Sequence, residues 1–208
     1  MNVIFVGVQG SGKGTQAKVI AEKMGLCHIS VGDLFRDLVK NGEGELKEEL
    51  QRIMNEGELV DDKLTIKIVK KRIEKTDCKK GVILDGFPRN LEQAKLLDFV
   101  ISIDKVVEIK ISDEESLKRL SGRVGCKDCG AGYNVYTAPK PLKEGVCDKC
   151  GGKLVRRVDD NEESIKKRIQ TYHDETEPIL DFYSGKVIEV DGERKIEEIS
   201  EDILGKLK

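Results

Sequence analysis

The chain has 208 residues, of which 38% are hydrophobic, enough for one substantial core or for a core with a smaller inserted module. Its 37 basic and 39 acidic side chains leave a net charge of -2, which argues against a global attraction to nucleic acid or to an anionic membrane. No apolar run approaches the roughly 20 residues that span a bilayer, and the apolar N-terminal stretch is too short for a signal peptide, so we expect a cytoplasmic protein without a membrane partner.

Short β-branched runs alternate with stretches of helical periodicity along most of the chain. The runs are almost entirely apolar, as expected for strands buried on both faces of a parallel sheet. The predicted strands are Val3–Val6, Cys27–Ile29, Gly81–Leu84, Val106–Ile111 and Val187–Val190. The predicted helices are residues 13–24, 32–41, 44–56, 61–75, 90–99, 113–122, 161–183 and 194–206. The alternation predicts an α/β fold with a five-stranded parallel sheet flanked by helices.

A glycine-rich segment, GVQGSGK at residues 7–13, joins the first predicted strand to the first predicted helix. It matches the G-x4-G-K phosphate loop in the required strand-loop-helix context. Glycines let backbone N–H groups converge on phosphate oxygens, the helix N-terminus adds partial positive charge, and Lys13 can reach the β and γ phosphates. Ser or Thr usually follows the lysine, whereas here Gly14 follows it and Thr15 comes one place later. The segment predicts a site for nucleotide phosphates.

Two other interpretations of this segment compete with a phosphate site. Gly12-x-Gly14-x2-Ala17 also fits a relaxed dinucleotide fingerprint, with Asp33 near the spacing of a ribose-binding acid. That pattern leaves the lysine between the glycines unexplained, and Asp33 is expected to cap a helix instead. A glycine-rich turn without a ligand would not need glycines at positions 7, 10, 12 and 14 together.

A second motif is GVILDGFPRN at residues 81–90. Its apolar run ends in Asp85, at the carboxyl end of a strand, where open α/β sheets bind ligands and phosphate-loop enzymes place an acid associated with magnesium. Taken alone, such an aspartate is more often a capping residue, and a lone arginine such as Arg89 is usually a solvated surface group. Beside the glycine loop, Arg89 offers a planar fork that suits phosphate.

Residues 123–158 break the alternation and read as an inserted module without helical periodicity. Cys126-x2-Cys129 and Cys147-x2-Cys150 are separated by 17 residues, within the range of a four-cysteine zinc site. Redox use of either pair is the alternative, which the duplication weakens. In a reducing cytoplasm we expect none of the six cysteines to form a disulfide, and Cys27 and Cys78 to be ordinary apolar or loop residues.

The segment VDDNEESIKKRIQTYH, residues 158–173, predicts a helix that Asp160 opens, with Glu163 completing a capping box. Apolar residues at helical spacing form a stripe along this helix. Arg168 lies at the edge of that stripe, as expected for a residue that faces a cleft.

Taken together, these motifs resemble the adenylate kinases, within the nucleoside monophosphate kinases. The resemblance covers essentially the whole chain and rests on GSGKGTQAK, which has this family's Gly14-Thr15 order, HISVGDLFR, DGFPRN followed by Gln93, RLSGR and VDDNEESIKKRIQTYH. It implies a phosphate-loop NTPase fold that converts MgATP and AMP reversibly into two ADP. It also implies a core of residues 1–29, 61–122 and 159–208, an AMP-binding flap of residues 30–60, and a zinc-binding lid of residues 123–158.

The resemblance implies roles for individual residues. Those implied for ATP are Gly10, Gly12, Lys13, Gly14 and Thr15 at the phosphates, Arg119 at the adenine, and Asp85 at Mg²⁺ through water. Those implied for AMP are Val31, Arg36, Leu59, Val60, Gly86, Arg89 and Gln93. The implied catalytic set, which stabilises the transferring phosphoryl group electrostatically without a general base, is Lys13, Arg123, Arg157 and Arg168. The implied ligands of a structural Zn²⁺ are Cys126, Cys129, Cys147 and Cys150.

Two positions depart from the family pattern. Gln9 stands where the family commonly has proline, which should loosen the loop. Val31 stands where a hydroxyl residue is common, which removes a polar contact near AMP.

Two alternatives to this function differ from it in substrate or in class. A UMP or CMP kinase is the nearer one, and Gln93 and the long lid argue against it. The other is a zinc-ribbon nucleic-acid binder with a nucleotide switch, because the lid carries several lysines, although it also carries acids and lacks dense aromatic residues. We therefore expect a monomer whose partners are ATP, AMP and ADP, with no nucleic acid.

Overall fold

The computed structural model of the chain describes residues 1–56, 58–156 and 160–208, with the side chain of residue 46 left out. Its strands are β1 Val3–Val6, β2 Cys27–Ser30, β3 Val82–Asp85, β4 Lys105–Lys110, β5 Arg123–Cys126, β6 Gly132–Asn134, β7 Leu154–Arg156 and β8 Val187–Asp191. Its α-helices are α1 Lys13–Met24, α2 Val31–Asn41, α3 Glu45–Glu56, α4 Asp62–Ile73, α5 Leu91–Asp98, α6 Asp113–Ser121, α7 Glu162–Thr171, α8 Ile179–Phe182 and α9 Ile196–Leu207.

The predicted five-stranded parallel sheet is confirmed, with strand order β2-β3-β1-β4-β8. Successive residues of a strand point to opposite faces, so β1 supplies both layers of the core. Ile4 and Val6 pack in the cluster that includes α2 to α5 and α7, whereas Val3 and Phe5 pack against α1 and α9. All four side chains are at most 2% exposed, and burial of each contributes about 1.5–3 kcal/mol.

A second, antiparallel sheet of order β6-β5-β7 lies in the module that interrupts the core. The sequence predicted no strands here. Its small hydrophobic cluster contains Val124, Tyr133 and Leu154 together with Cys126 and Cys147. Two of the five are cysteines, so this module has few apolar side chains to bury.

Three local predictions were wrong. The helix predicted over 161–183 is split into α7 and α8 by a π-helical turn, Tyr172–Thr176, and by Pro178, which has no N–H to continue a helix. The N-cap of α7 is Asn161, whose side chain accepts from the Ser164 N–H at 2.9 Å, because the Asp160 carboxylate is bound elsewhere. Asp33 does not cap α2; it lies in the first turn, after Ser30 at the N-cap.

The expectation that no disulfide forms was also wrong. Cys27 and Cys78 are disulfide-bonded, with Cα atoms 4.9 Å apart. The parallel pairing of β2 with β3 places Cys27 opposite Val82, just after the short 3₁₀ turn that ends in Cys78. The two cysteines are 51 residues apart in sequence and meet only through this pairing, which spacing alone does not reveal.

Among the helices that the structure describes, none combines the length and the apolar composition needed to cross a membrane.

Candidate active site

One cleft of about 1000 Å³ runs over the carboxyl ends of the central strands. Its wall includes the phosphate loop, the segments after β2 and β3, residues of α2 and α7, and part of the inserted module. Every residue predicted for ATP, AMP or catalysis lies on this wall, except Arg157, which is outside the described residues. The fold therefore gathers groups that are up to 158 positions apart, from Gly10 to Arg168.

The phosphate loop leaves β1 and turns into α1 at Gly12, which has a φ of 91°. That left-handed conformation favours glycine because it is unstrained without a Cβ. The Ser116 hydroxyl donates to the Gln9 carbonyl at 2.6 Å and so fixes the loop to α6. The Lys13 ammonium donates to the Val8 carbonyl at 3.2 Å, across the mouth of the loop. These two hydrogen bonds fix the loop and its lysine in position.

The electrostatics around Lys13 are strongly positive. The pKa of Lys13 is lowered to about 8, chiefly by loss of hydration; the charge of Asp85 opposes this shift, and the nearby cations Arg89, Arg123 and Arg168 contribute to it. A cation is thus destabilised at this position when no anion is bound. A multiply charged phosphate ligand would relieve that destabilisation.

Asp85 ends β3 and is 9% exposed, beside the phosphate loop. A Cβ added at Gly14 would lie 3.0 Å from the Asp85 Oδ2 atom, so any larger residue after Lys13 would push on the carboxylate. Glycine after the lysine leaves the carboxylate undisturbed. His28 Nε2 lies 3.8 Å from Asp85 Oδ2, a neighbour for which the sequence analysis found no role.

The implied AMP site lies on the other side of β3. Arg36 is paired with Asp33, whose Oδ1 atom accepts from both the Nε and Nη2 groups of Arg36. The Arg89 Nε–H donates to the Gly86 carbonyl at 2.9 Å, which fixes the guanidinium at the end of β3. Val31, Leu59 and Val60 contribute apolar side chains to the same cleft wall.

Gln93 is 2% exposed and lies at the first turn of α5, with its amide in the cleft wall. Its Oε1 atom accepts from the Arg89 backbone N–H at 2.8 Å. Its Nε2 group donates to Asp62 Oδ1 at 2.7 Å. Asp62 was not singled out in the sequence, because nothing local to the start of α4 indicates a contact with α5.

Arg119, implied at the ATP adenine, lies in the last turn of α6. Its Nε–H donates to Glu115 Oε1 at 2.8 Å, and its Nη2 group donates to the Gly192 carbonyl at 3.0 Å. Gly192 and the residues that follow it also line the cleft, as do Gly130–Asn134 of the module. The sequence did not indicate these wall segments, because they contain no motif that is typical of a nucleotide site.

Arg123 and Arg168 meet at one carboxylate. Asp160 accepts from Arg123 Nε–H and Nη2 at 2.7 and 2.6 Å, and from Arg168 Nη2 at 2.7 Å. Burial would raise the pKa of Asp160, but the hydrogen bonds and charges of the two guanidiniums outweigh burial and hold the pKa below its usual range. The sequence assigned Asp160 to a helix cap and therefore missed this contact.

The four cysteines of the inserted module converge. Their sulfur atoms all lie within 4.8 Å of one another, with Cys126 and Cys150 at 3.5 Å and Cys129 and Cys147 at 3.6 Å. Four thiolates around zinc at about 2.3 Å would be spaced by about 3.8 Å, so the cluster fits a tetrahedral metal ion. The glycine after each pair donates its N–H to the backbone carbonyl of the first cysteine of that pair, Gly130 to Cys126 and Gly151 to Cys147.

The cleft combines the Asp85 carboxylate, a phosphate loop and a group of arginines. Such a site can bind two phosphorylated ligands, one at the loop and one at Arg36 and Arg89, and can stabilise negative charge between them.

Comparison with known proteins agrees with this arrangement. A sequence model of the adenylate kinase family matches residues 5–188. Three curated relatives named adenylate kinase are similar to this chain over nearly its whole length. They come from Caldicellulosiruptor bescii, Thermodesulfovibrio yellowstonii and Clostridioides difficile, and are 46%, 47% and 47% identical to this chain. The alignments cover 98%, 98% and 100% of this chain and 97%, 97% and 98% of the relatives. The chain therefore belongs to the adenylate kinase family of nucleoside monophosphate kinases.

Proposed function

We propose that this chain catalyses the reversible transfer of the γ-phosphoryl group of MgATP to AMP, which yields two ADP. The observation that carries the proposal is the convergence of Arg89, Arg123 and Arg168 around Lys13, in one cleft with Asp85. Arg89 is assigned to the acceptor phosphate and Lys13 to the donor phosphates. Their proximity is what a direct transfer between two bound nucleotides requires.

The step itself needs little covalent help from the protein. An oxygen of the AMP phosphate attacks the γ-phosphorus, and a new P–O bond forms while the bond to the β–γ bridging oxygen breaks. The electron pair of that bond leaves with the β-phosphate of ADP. The attacking oxygen is already anionic, so no general base has to remove a proton.

The residues of the cleft position the reactants and spread charge. In this proposal the phosphate loop and Lys13 bind the donor phosphates, and Arg36 and Arg89 bind the AMP phosphate. Arg123 and Arg168, joined by Arg157 from outside the described residues, stabilise the charge that develops on the equatorial oxygens. When Mg²⁺ is bound with ATP it neutralises charge on the β and γ oxygens, and Asp85 would hold it through water.

We also propose that the four cysteines bind a structural Zn²⁺. A shell of four thiolates leaves no position for a reacting water. The working unit in this proposal is the single chain, because every group assigned above comes from one copy.

A panel of nucleotide pairs tests the function. We expect magnesium-dependent ADP formation from ATP and AMP, with AMP preferred over CMP, UMP and GMP as the acceptor. Equal or higher catalytic efficiency with UMP would contradict the adenylate assignment. Absence of turnover, combined with salt-dependent retention on DNA or RNA, would favour a nucleic-acid binder instead.

A further inference from the structure

The side-chain amide of Gln93 is held at both of its ends. The Arg89 backbone N–H donates to Oε1 at 2.8 Å, and Nε2 donates to the Asp62 carboxylate at 2.7 Å. Gln93 is almost fully buried, so water does not compete for these contacts. The amide is therefore fixed in position by two partners of opposite hydrogen-bonding type.

Those partners also determine which way the amide points. A backbone N–H can only donate, and an ionised carboxylate can only accept. Turning the amide by 180° would place its NH2 group against the Arg89 N–H and its oxygen against Asp62. Both contacts would then be repulsive, so only one orientation is satisfied.

One N–H and one acceptor lone pair of the amide remain for a ligand. Adenine offers the matching pair, an N1 acceptor beside an N6 amino donor. Purines with a 6-oxo group, such as hypoxanthine and guanine, offer the reverse, an N1–H donor beside an O6 acceptor. Against an amide that cannot turn, a 6-oxopurine leaves two polar groups opposed and unpaired.

We propose that Asp62 selects adenine over 6-oxopurine acceptors by holding the Gln93 amide in this single orientation. The inference rests on the proposed function, because it places the acceptor base against Gln93. Asp62 is a positioning residue here, since it acts through Gln93 and not by touching the base.

The surroundings of Asp62 suit this role. Asp62 is the first residue of α4 and is half-buried, and its carboxylate also accepts from the Asn90 Nδ2 group at 3.1 Å. Asn90 in turn caps α5 by accepting from the Gln93 backbone N–H at 2.8 Å. The carboxylate therefore ties the start of α4 to the start of α5. A purely structural tie would affect stability and leave the choice of base unchanged.

The test compares Asp62→Ala with Lys63→Ala, an exposed neighbour in the same turn, and with Gln93→Met, which removes the amide at nearly constant shape. For each variant we would measure the melting temperature, and kcat and KM for AMP and for IMP with saturating MgATP. We expect Asp62→Ala to raise the AMP KM severalfold and to lower the AMP-to-IMP ratio of kcat/KM about tenfold, with kcat for AMP within about twofold. Lys63→Ala should keep the parent ratio.

Two different results would overturn the proposal, one by excluding the role of Asp62 and the other by excluding the contact between Gln93 and the base. If Gln93→Met loses discrimination but Asp62→Ala keeps it, even with a lowered melting temperature, Asp62 is only a structural tie. If Gln93→Met also keeps the parent KM and ratio, the contact between Gln93 and the base is itself wrong. Should Asp62→Ala fail to fold, Asp62→Ser serves instead. Its shorter side chain withdraws the acceptor from Gln93 Nε2, so it should lower the ratio in the same direction, and an unchanged ratio in that variant counts against the proposal.

Discussion

Arg123 and Asp160 form a two-point ion pair, with Nε–H donating to Oδ2 at 2.7 Å and Nη2 donating to Oδ1 at 2.6 Å. The Asp160 side chain is only 2% exposed, and the same carboxylate also receives Arg168. Two guanidiniums that would repel each other are thereby held side by side close to Lys13. The shared carboxylate fixes the positions of both arginines, which lowers the cost of organising them during the reaction.

Asp160→Asn should therefore slow turnover. An asparagine offers one oxygen in place of two and places an NH2 group against a guanidinium, so the arginines lose their common anchor. We expect kcat to fall on the order of 10²-fold, the scale of a roughly 1 Å misplacement of catalytic groups. Glu162→Gln, which alters an exposed pair with Lys166, is the matched control and should leave kcat unchanged. A folded Asp160→Asn protein with parental kcat would contradict the anchoring role.

Arg168→Ala and Arg36→Ala should separate catalysis from acceptor binding. Loss of Arg168 removes charge stabilisation at the transferring group, so kcat should fall on the order of 10³-fold or more, with little change in melting temperature. Loss of Arg36 should act mainly by raising the AMP KM. Arg52→Ala, at an exposed residue of α3 paired with Glu56, provides the control. Near-normal turnover of Arg168→Ala would show that this residue is misassigned.

Gly14→Ala tests the close approach of α1 to Asp85. The added Cβ would meet Oδ2 at 3.0 Å, so the carboxylate has to move by a few tenths of an ångström. We expect kcat to fall about tenfold or more and the magnesium concentration for half-maximal rate to rise. Gly205→Ala in α9 adds the same methyl group into open space and should stabilise the protein by about 0.5–1 kcal/mol. Equal magnesium curves for Gly14→Ala and the parent would rule the contact out.

Binding of ATP should be linked to proton uptake by Lys13. Because the pKa of Lys13 is lowered to about 8 without a ligand, most lysine 13 side chains are neutral at pH 8.5 and should be protonated when phosphates bind. Calorimetric titration in buffers of different ionisation enthalpy should give about 0.7 proton taken up at this pH. Lys13→Met should abolish the uptake, and Lys23→Met, at an exposed position of α1, should not.

The lowered pKa of Lys13 also makes the free energy of unfolding depend on pH. The folded-state pKa of Lys13 lies below its unfolded value of 10.5, so the charged lysine opposes folding at neutral pH. The free energy of unfolding should rise as the pH increases from about 8 towards 10.5, because the unfolded chain then binds more protons than the folded one. Lys13→Met should remove that rise. A parent and a variant with the same pH dependence would contradict the lowered pKa.

Replacing two of the proposed zinc ligands tests whether the cysteine cluster holds a structural metal. Cys147→Ser with Cys150→Ser should abolish bound zinc and clearly lower the melting temperature, since the module has few apolar residues to replace the metal. Turnover should fall only severalfold at a temperature where the protein stays folded. Replacing Cys27 and Cys78 by alanine removes the same number of cysteines and should keep the zinc content. Loss of zinc without a change in melting temperature would exclude a structural role, and complete loss of turnover in a folded protein would indicate a catalytic one.

The parts of this protein that the sequence predicts are those with local signatures. The phosphate loop, the buried strands and the paired cysteines each follow from residue types at short, fixed spacing. Asp160 was wrongly predicted to cap a helix, and Asp62 was not singled out. The partners of both lie on other elements: Asp62 accepts from Gln93 on α5, and Asp160 accepts from Arg123 on β5. Local rules for helix starts apply to both aspartates and gave no indication of these contacts.

The short strands of the inserted module and the break at Pro178 were missed for different reasons. Strands of three or four residues around polar turns, such as Gly132–Asn134, carry too few positions for alternation to be visible. The helical pattern after residue 161 continues past the π-helical turn. Periodicity alone therefore predicted one helix where Pro178 separates α7 from α8. The disulfide depends on how β2 pairs with β3. The sequence predicted a parallel sheet but not which residues of the two strands lie opposite each other.

The strand order has a consequence for how the chain is made. Val3 in the central strand pairs with Ile83 on one side and Lys105 on the other, so β1 has no neighbour until those segments leave the ribosome. At about 5–20 residues per second, the wait for Ile83 alone is roughly 4–16 seconds. During that time the phosphate loop is tethered to an unpaired apolar strand. Nucleotide therefore cannot stabilise the nascent chain early, and this interval is the one in which β1 is most exposed to aggregation or to capture by a chaperone.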